Sequence, residues 1–528
     1  MSDFLMPLPL GTSTFSALRA SGEIYVDKTA QIFELARLRA KVFLARPRRF
    51  GKSLLLSTFA SLFAHGLRDF AGLDIEKKWH DDVYPVVRLD FSGATTFRSA
   101  DQYHVLFTSL VSVAFAPLGF RFNEKSSVPF GIQLREWLSG LADNSIVLLI
   151  DEYDAPLTEH LDNKEAFEVV REEMNDFFKT LKACEGCLRF FFMTGITKFS
   201  STNIFSAFNN LNDISLNPRY GTLLGWTQAE LCANFAGYID RAARASGVKN
   251  EEILRGLQEN YDGFCFDQNA ALHVFCPWSV LNYFQYPELG FENYWYESGG
   301  KPSVLMKYLA NHALASPQSF DAVQQVNIID LKSANRYDDV SLEVLLTQAG
   351  YFSIRGVNNN VFELGYPNRE VRLSMAQLYA RELLKGRVLS QSKRNPIERR
   401  LADGTIGEVV DCFNEIMNAI DYAGYPISNE AVCRAYLQVL LIGAALRPQV
   451  EVHSARGRSD LEVEAGDRRW VFEIKYAAKT KDVAPRLEEA VEQIRSRRYG
   501  ETPHGRRIIR AALVFDGAER RFAAFEEV

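Results

Sequence analysis

The sequence predicts an α/β protein: a parallel sheet with helices on both faces, then a helical middle region, then a second α/β domain at the C-terminal end. Three observations carry this. Apolar runs, Val42–Leu44, Ile146–Ile150 and Phe190–Met193, with Val86–Phe91 interrupted by Arg88 and Asp90, alternate with helical segments over residues 1–225. Runs without polar alternation suit parallel strands covered on both faces, and their alternation with helices suits a doubly wound domain. From Thr227 to about 335 the chain turns helical and aromatic-rich without comparable strand runs. Residues 341–373 then read as helix, strand, turn, strand, a winged-helix-like pattern within a segment spanning 336–390. The polar, Arg-rich stretch Leu389–Gly404 reads as a linker. Over 405–528 come two helices, at about 406–421 and 429–446, a β-hairpin and a further helix–strand pair.

At 528 residues the chain has room for three or four domains of about 150 residues. Hydrophobic residues are 47% and charged residues 24%, which excludes a mainly disordered or collagen-like chain. With 60 Lys and Arg against 66 Asp and Glu the net charge is −6. That excludes a histone-like binder and leaves room for a local basic groove. The first residues lack a basic, apolar leader. The longest apolar runs, such as Ile146–Ile150 and Val439–Leu446, fall far short of the roughly 20 residues that cross a bilayer. Seven scattered cysteines, with Cys184 and Cys187 as the one close pair, read as free thiols. The expectation is a soluble, cytoplasmic protein without membrane contact.

The segment Val42-Phe43-Leu44-Ala45-Arg46-Pro47-Arg48-Arg49-Phe50-Gly51-Lys52-Ser53 is a strand, a loop and a helix start. Its end is what a nucleotide phosphate needs. Gly51 allows close backbone approach, Lys52 reaches the β- and γ-phosphates and the Ser53 hydroxyl ligates Mg²⁺. The usual first glycine of such a loop is Arg46 here. A bare Gly-Lys-Ser is weak evidence, and a second element strengthens it: the apolar strand Ile146–Ile150 ends in Asp151 and Glu152. Asp151 is placed to hold the Mg²⁺ shell and Glu152 to polarise the attacking water. Thr194, at the end of the Phe190–Met193 strand, is a candidate γ-phosphate sensor or else a strand-end cap. Arg219 is a candidate arginine finger or else a surface ion pair.

These segments resemble the bacterial AAA-ATPase-like family. The resemblance lies in Tyr25-Val26-Asp27-Lys28-Thr29, Arg46–Leu54, Leu89-Asp90-Phe91-Ser92 and Ile150-Asp151-Glu152-Tyr153-Asp154. It continues through Tyr261-Asp262-Gly263-Phe264, Pro277-Trp278-Ser279, Tyr294–Gly299 and Tyr366–Arg372. The family carries arginine where the first glycine would stand, so Arg46 joins the expected nucleotide-binding set. The resemblance implies a P-loop NTPase domain that binds ATP and Mg²⁺, joined to a C-terminal nuclease-like domain. It assigns no role to Asp27, Lys28, Trp278 or Trp295.

In the C-terminal region Gly457–Val463 and Trp470–Lys475 flank the turn Ala465-Gly466-Asp467, which predicts a hairpin. Alternation puts Glu473 and Lys475 on one face of the second strand and Phe472 and Ile474 on the other. Folding brings Asp460 beside them. Two carboxylates and the Ile474 carbonyl can hold one or two Mg²⁺ or Mn²⁺ ions. Lys475 can position the attacking water or stabilise the phosphorane oxyanion. The set resembles the D…ExK pattern of the PD-(D/E)xK nuclease superfamily, which implies a restriction-endonuclease-like fold. Glu430, on the preceding helix, and Glu451, on the preceding strand, are rivals for a further metal-linked acid. Glu430 can instead pair with Arg434. Gln493 is a weaker candidate.

Between Arg456 and Arg510 there are 14 Lys and Arg against 10 Asp and Glu. Arg495, Arg497, Arg498, Arg506 and Arg507 can meet a phosphate backbone, which gives affinity without sequence choice. The combined expectation is an ATPase coupled to a metal-dependent deoxyribonuclease, with ATP and DNA as partners. The implied setting is bacterial defence or mobile-element biology. The alternative is an NTPase-driven regulator whose nuclease-like domain binds nucleic acid without cutting it. ATPases of this fold often complete their site with a neighbour's arginine, so a homo-oligomer is compatible with either.

Overall fold

The computed structural model describes residues 5–198, 211–297, 305, 316–332, 341–384, 396–454, 457–497 and 505–528. The chain divides into two compact units, residues 1–313 with 323–371, and residues 314–322 with 372–528.

The first unit is built on a five-stranded sheet: β1 (Lys41–Ala45), β2 (Val86–Asp90), β3 (Ile146–Asp151), β4 (Leu188–Gly195) and β5 (Leu211–Asp213). The order is β2-β3-β4-β1-β5 and every pairing is parallel. β3 and β4 are buried along their whole length, which is why they lack polar alternation. On one face Phe59 and Phe63 of α1 (Lys52–His65) pack against Phe190 and Phe192, ring centroids 4.9–5.1 Å apart. On the other, α2 (Ala100–Phe115), α3 (Phe130–Ser139) and α4 (Lys164–Ala183) cover Phe43, Leu148, Ile150, Phe191 and Met193. Three residues long, β5 is too short to register as an apolar run and was not expected. Because β1, β4 and β3 run parallel side by side, their carboxyl ends open on the same edge, where open α/β sheets bind ligands.

The middle region is helical as expected, with α5 (Gln228–Ser246), α6 (Asn250–Tyr261), α7 (Pro277–Gln285) and α8 (Tyr294–Glu297). A capping box, Thr227 with Glu230, starts α5. Trp226, Phe235, Tyr261, Tyr283 and Phe284 form its aromatic core. No strand run comparable to those of the first sheet was expected here, and the described strands are short. β6 (Phe264–Cys265) pairs with β7 (His273–Val274), and β8 (Gln324–Asn327) joins a later hairpin. Elements of two to four residues show no readable period. α9 (Leu342–Ala349) then leads into the expected hairpin, β9 (Ser353–Asn358) and β10 (Val361–Gly365), with β8 as its third strand.

In the second unit residues 372–383 are already helical, and α10 (Pro396–Asp403) follows in part of the stretch expected as linker. Ile397 and Leu401, four apart, are buried, and the arginines between them mask this single apolar stripe in the composition. α11 (Ile406–Met417) and α12 (Glu430–Gly443) stand where helices were expected. The mixed sheet runs β11 (Gln449–Ser454), β12 (Gly457–Ala465), β13 (Arg468–Ala477), β14 (Arg507–Asp516) and β15 (Arg521–Glu527) in order. α13 (Val483–Arg497) is the crossover between the parallel strands β13 and β14. It lays Ala490, Val491 and Ile494 on Val471 and Ala512. Opposite, the Trp470 indole donates to the Leu401 carbonyl at 2.7 Å and Phe472 meets Phe413.

Gly350, which ends α9 at φ +91°, faces Pro47; an added Cβ would lie 2.7 Å from the proline ring. Gly350→Ala should therefore cost about 2–4 kcal/mol through left-handed strain and overpacking. The expected readout is a thermal midpoint several degrees lower. An unchanged midpoint would mean the 46–51 loop yields freely.

Candidate functional site

The loop between β1 and α1 is shaped by two positive φ angles, +70° at Arg49 and +89° at Gly51, the latter capping α1. Such a turn points successive backbone N–H groups inward, and the helix N-terminus adds partial positive charge. Lys52, the first residue of α1, is 6% exposed. Its ammonium donates to the Arg46 and Pro47 carbonyls at 3.0 and 3.1 Å, so two of three N–H groups staple the loop. Burial lowers its pKa, opposed by Glu152, Asp151 and Asp154.

At the end of β3, Asp151 Oδ1 accepts from the Thr194 hydroxyl at 2.7 Å and from the Glu152 amide at 3.0 Å. Glu152 holds φ +47°. Burial raises its pKa, and Lys52 pulls the other way. Asp154 is buried and accepts from the amides of Ile196 and Thr197 and from the Thr197 hydroxyl, at 2.6–3.1 Å. The acidic tail of β3 is thus zipped to the tail of β4, Asp151 to Thr194 and Asp154 to Thr197. A cavity of about 930 Å³ opens here, lined by Arg48, Arg49, Gly51, Lys52, Ser53 and Glu152 at its polar end. Tyr25, Trp226, Trp278 and Leu281 are among its apolar lining. This donor set fits a phosphorylated nucleotide with Mg²⁺: cationic loop, helix N-terminus and an acid at the strand end. Asp151 Oδ2 makes no hydrogen bond to a described residue.

Two expected members stand elsewhere. The Arg46 side chain is 1% exposed and turned into the core. It donates to the Ala45, Ser215 and Tyr220 carbonyls at 2.7–3.1 Å and lies 4.2 Å from the Phe266 ring centroid. Burial lowers its pKa to about 9. It contributes its backbone carbonyl to Lys52, while its guanidinium braces the loop from behind. Arg219 pairs with Glu34 at 3.1 Å on an exposed surface, the ion-pair alternative. Asp27 accepts from the amides of Thr29 and Asp74, a structural use, and Lys28 lines the cavity while paired with Glu230 at 2.6 Å. Sequence reasoning missed Arg48, Arg49 and Asp154, all of them inside the quoted motifs. Ser298 and Gly299 lie outside the described residues.

In the second unit the ladder between β12 and β13 ends at Leu461 and Phe472. Beyond it the strands part, and Asp460 and Glu473 begin the fork. Asp460 Oδ2 accepts from the Ile474 amide at 2.8 Å, so here it is the N–H of Ile474 that meets the acid. Lys475 donates to Glu473 Oε1 at 2.9 Å. Glu473 is 1% exposed, and its Oε2 has no hydrogen-bond partner among the described residues. Burial, then Asp460, raises its pKa to about 7. Burial draws the Lys475 pKa down, but pairing with Glu473 outweighs it and the net shift is upward. A buried, unpartnered carboxylate oxygen beside a second carboxylate fits a divalent cation. Even so, no three His, Cys, Asp or Glu form a ready cage among the described residues.

Arg434 of α12 reaches Glu451 at 3.0 Å and Asp460 at 3.4 Å. It does this instead of pairing with Glu430, which stands 4.0 Å from Lys475. Glu451 holds φ +54° opposite Asp460, where the β11–β12 ladder skips a pair. Both rival acids therefore border the site, and Arg434, unforeseen, sits between two carboxylates. Gln493 is half-buried on α13. Of the arginines, Arg497 lies over Gly457 and its charge acts on Glu473. Arg495 pairs with Glu526, and Arg506 binds the Gly466 carbonyl at the hairpin turn. Arg507 starts β14 and Arg498 lies outside the described residues.

Asp154→Asn should set an amide N–H₂ against buried donors that now meet a carboxylate. The expected loss is about 2–4 kcal/mol, read as a lower thermal midpoint. A wild-type midpoint would show that the 194–197 segment does not need this clamp.

Comparison with known proteins agrees with both halves. The family described as "Predicted AAA-ATPase" matches residues 9–205, and the PD-(D/E)XK nuclease superfamily matches residues 428–525. A protein of Azotobacter chroococcum mcd 1, named "Uncharacterized protein in vnfD 5'region", is 30% identical over 507 residues. The match covers 94% of this chain and 93% of that protein. No solved structure matches, and no described helix is long and apolar enough to cross a membrane. The chain belongs to the AAA-ATPase-like family and carries a C-terminal domain of the PD-(D/E)XK nuclease superfamily.

Proposed function

We propose that the protein binds and hydrolyses ATP in its first unit and that this controls a metal-dependent nuclease, acting on DNA, in its second. Lys52 and the loop amides hold the β- and γ-phosphates, and Ser53 and Asp151 are the Mg²⁺ ligands. Glu152, held by its left-handed backbone on the cavity wall, orients the attacking water. Thr194, bonded to Asp151, keeps that acid in register.

One observation carries the nuclease half: Glu473 Oε2, buried without a partner between Asp460 and Lys475. A divalent cation at Asp460, Glu473 and the Ile474 carbonyl, with Glu430 or Glu451 nearby, supplies charge against the phosphodiester and acidifies a water. Lys475 positions that water or meets the developing oxyanion charge. Arg497, whose charge acts on Glu473, is our candidate contact for the nucleic-acid backbone. Bacterial defence against foreign DNA, or mobile-element biology, is a setting consistent with this pairing of activities.

A second reading, nucleic-acid binding without cleavage, draws on one observation: Asp460 and Glu473 are already paired with Arg434 and Lys475. Incubation of plasmid and single-stranded DNA with Mg²⁺ or Mn²⁺, with and without ATP, separates the two. Cleavage should fall at least 100-fold in Asp460→Ala and Lys475→Ala and change its ATP dependence in Lys52→Ala, by roughly 3 kcal/mol per lost charge stabilisation. Glu152→Gln should bind ATP and turn it over at least 100-fold more slowly. DNA binding with no cleavage under either metal favours the second reading, and cleavage indifferent to ATP and to Lys52→Ala removes the coupling.

A further inference from the structure

The loop that replaces the glycine-rich turn carries Arg48 and Arg49, and both are gripped by tryptophans of the helical region. The Trp295 indole, 2% exposed, donates to the Arg48 carbonyl at 3.3 Å. Its own backbone amide donates to the buried Glu370 carboxylate at 2.7 Å. Phe50 is fixed between Phe264 and Phe266, centroids 4.8 and 5.2 Å away. The backbone on either side of Arg49 is therefore held, while Arg49 itself is exposed at the cavity wall. Its guanidinium lies 4.3 Å from the ring centroid of Trp278. Trp278 also lines the cavity, and its indole N–H is committed to the Tyr294 carbonyl at 3.2 Å. That bond fixes the ring of Trp278 and leaves its face to the arginine.

We propose that Arg49 is a phosphate contact of the nucleotide site, stacked on Trp278 until a nucleotide enters and then exchanging the ring for the phosphates. The inference rests on reading the loop as a nucleotide site and adds a binding residue and a reporter to it. A cation over an aromatic face near solvent is a weaker contact than a hydrogen bond between charged groups, so the phosphates are a stronger partner than the ring. The stack joins Arg49 of the loop to Trp278 of α7. The loaded state is thereby felt by α7, which carries Trp278.

The test uses the full chain, calorimetry with ATP and with adenosine, and tryptophan emission. Wild type is compared with Arg49→Ala, Arg49→Lys and Trp278→Phe, each first checked for native circular dichroism. ATP should change the emission of wild type, and adenosine should not. The change should vanish in Trp278→Phe and in Arg49→Ala. ATP affinity should fall about tenfold or more in Arg49→Ala, and by less in Arg49→Lys, which keeps the charge. Wild-type ATP affinity in Arg49→Ala overturns the inference, as does an emission change that persists in Trp278→Phe or appears with adenosine. ATP binding without any Trp278 response sinks this inference alone. No heat of ATP binding to wild type sinks the reading of the site and this inference together.

Discussion

The buried ammonium of Lys52 is the constraint on which the first unit turns. Removing a charge from water is costly unless hydrogen bonds and opposite charges replace the solvent. Here two loop carbonyls supply the bonds, and Asp151, Glu152 and Asp154 supply the charge. The sheet order makes this possible. With β4 between β1 and β3, the lysine at one strand's loop and the acids at another's tip converge across Thr194. Each acid then has its own use. Asp151 takes the Thr194 hydroxyl, Asp154 takes the β4 tail, and Glu152 is left on the cavity wall. Burial raises the Glu152 and Asp154 pKa values and lowers that of Lys52, and the attraction between lysine and acids opposes each shift without cancelling it.

The second unit solves the opposite problem, a buried carboxylate. Glu473 lies just beyond the end of the β12–β13 ladder, where those strands part, while its backbone stays paired with β14. Lys475, two residues on and therefore on the same face, satisfies one oxygen. The other has no partner among the described residues, and burial, with Asp460 beside it, raises the Glu473 pKa to about 7. Arg434 treats Asp460 in the same way from α12. Both sites are thus short of a counter-charge of one sign, the first open to anions along its loop and the second to a cation at Glu473.

Strand-and-acid logic made much of this readable in the sequence. An apolar run buried on both faces announces itself, and Asp151, Glu152, Glu473 and Lys475 follow such runs directly. What failed to read out depends on side-chain direction or on partners distant in sequence. Arg46 was expected at the phosphates because it occupies a loop position. Yet it directly follows the last residue of β1, and its side chain runs into the core toward Phe266, more than 200 residues away. No local pattern could reveal Arg434 choosing Asp460 and Glu451 over Glu430 at i+4. Ile397 and Leu401 do carry a helical signal, one turn apart, but the charged residues around them resemble a linker. The short strands β5 to β8 are set by pairing with partners rather than by any period of their own.

The departure at Arg46 bears on how the loop keeps its shape. A glycine at that position would let the backbone turn freely, and in this chain the turning is done later, at Arg49 and Gly51. The Arg46 amide instead continues the sheet, donating to the Gly195 carbonyl at 3.1 Å, and its guanidinium ties β1 to the segment after β5. Conformational freedom removed at the start of the loop must be replaced by external support along it. That support comes from Trp295 on the Arg48 carbonyl, Phe264 and Phe266 around Phe50, and Gly350 against Pro47. A glycine-rich loop can hold a phosphate by itself, but this one depends on the helical region to be in register. The aromatic motifs of residues 261–297, unassigned by sequence, thereby acquire a mechanical reason to accompany the phosphate loop in one chain.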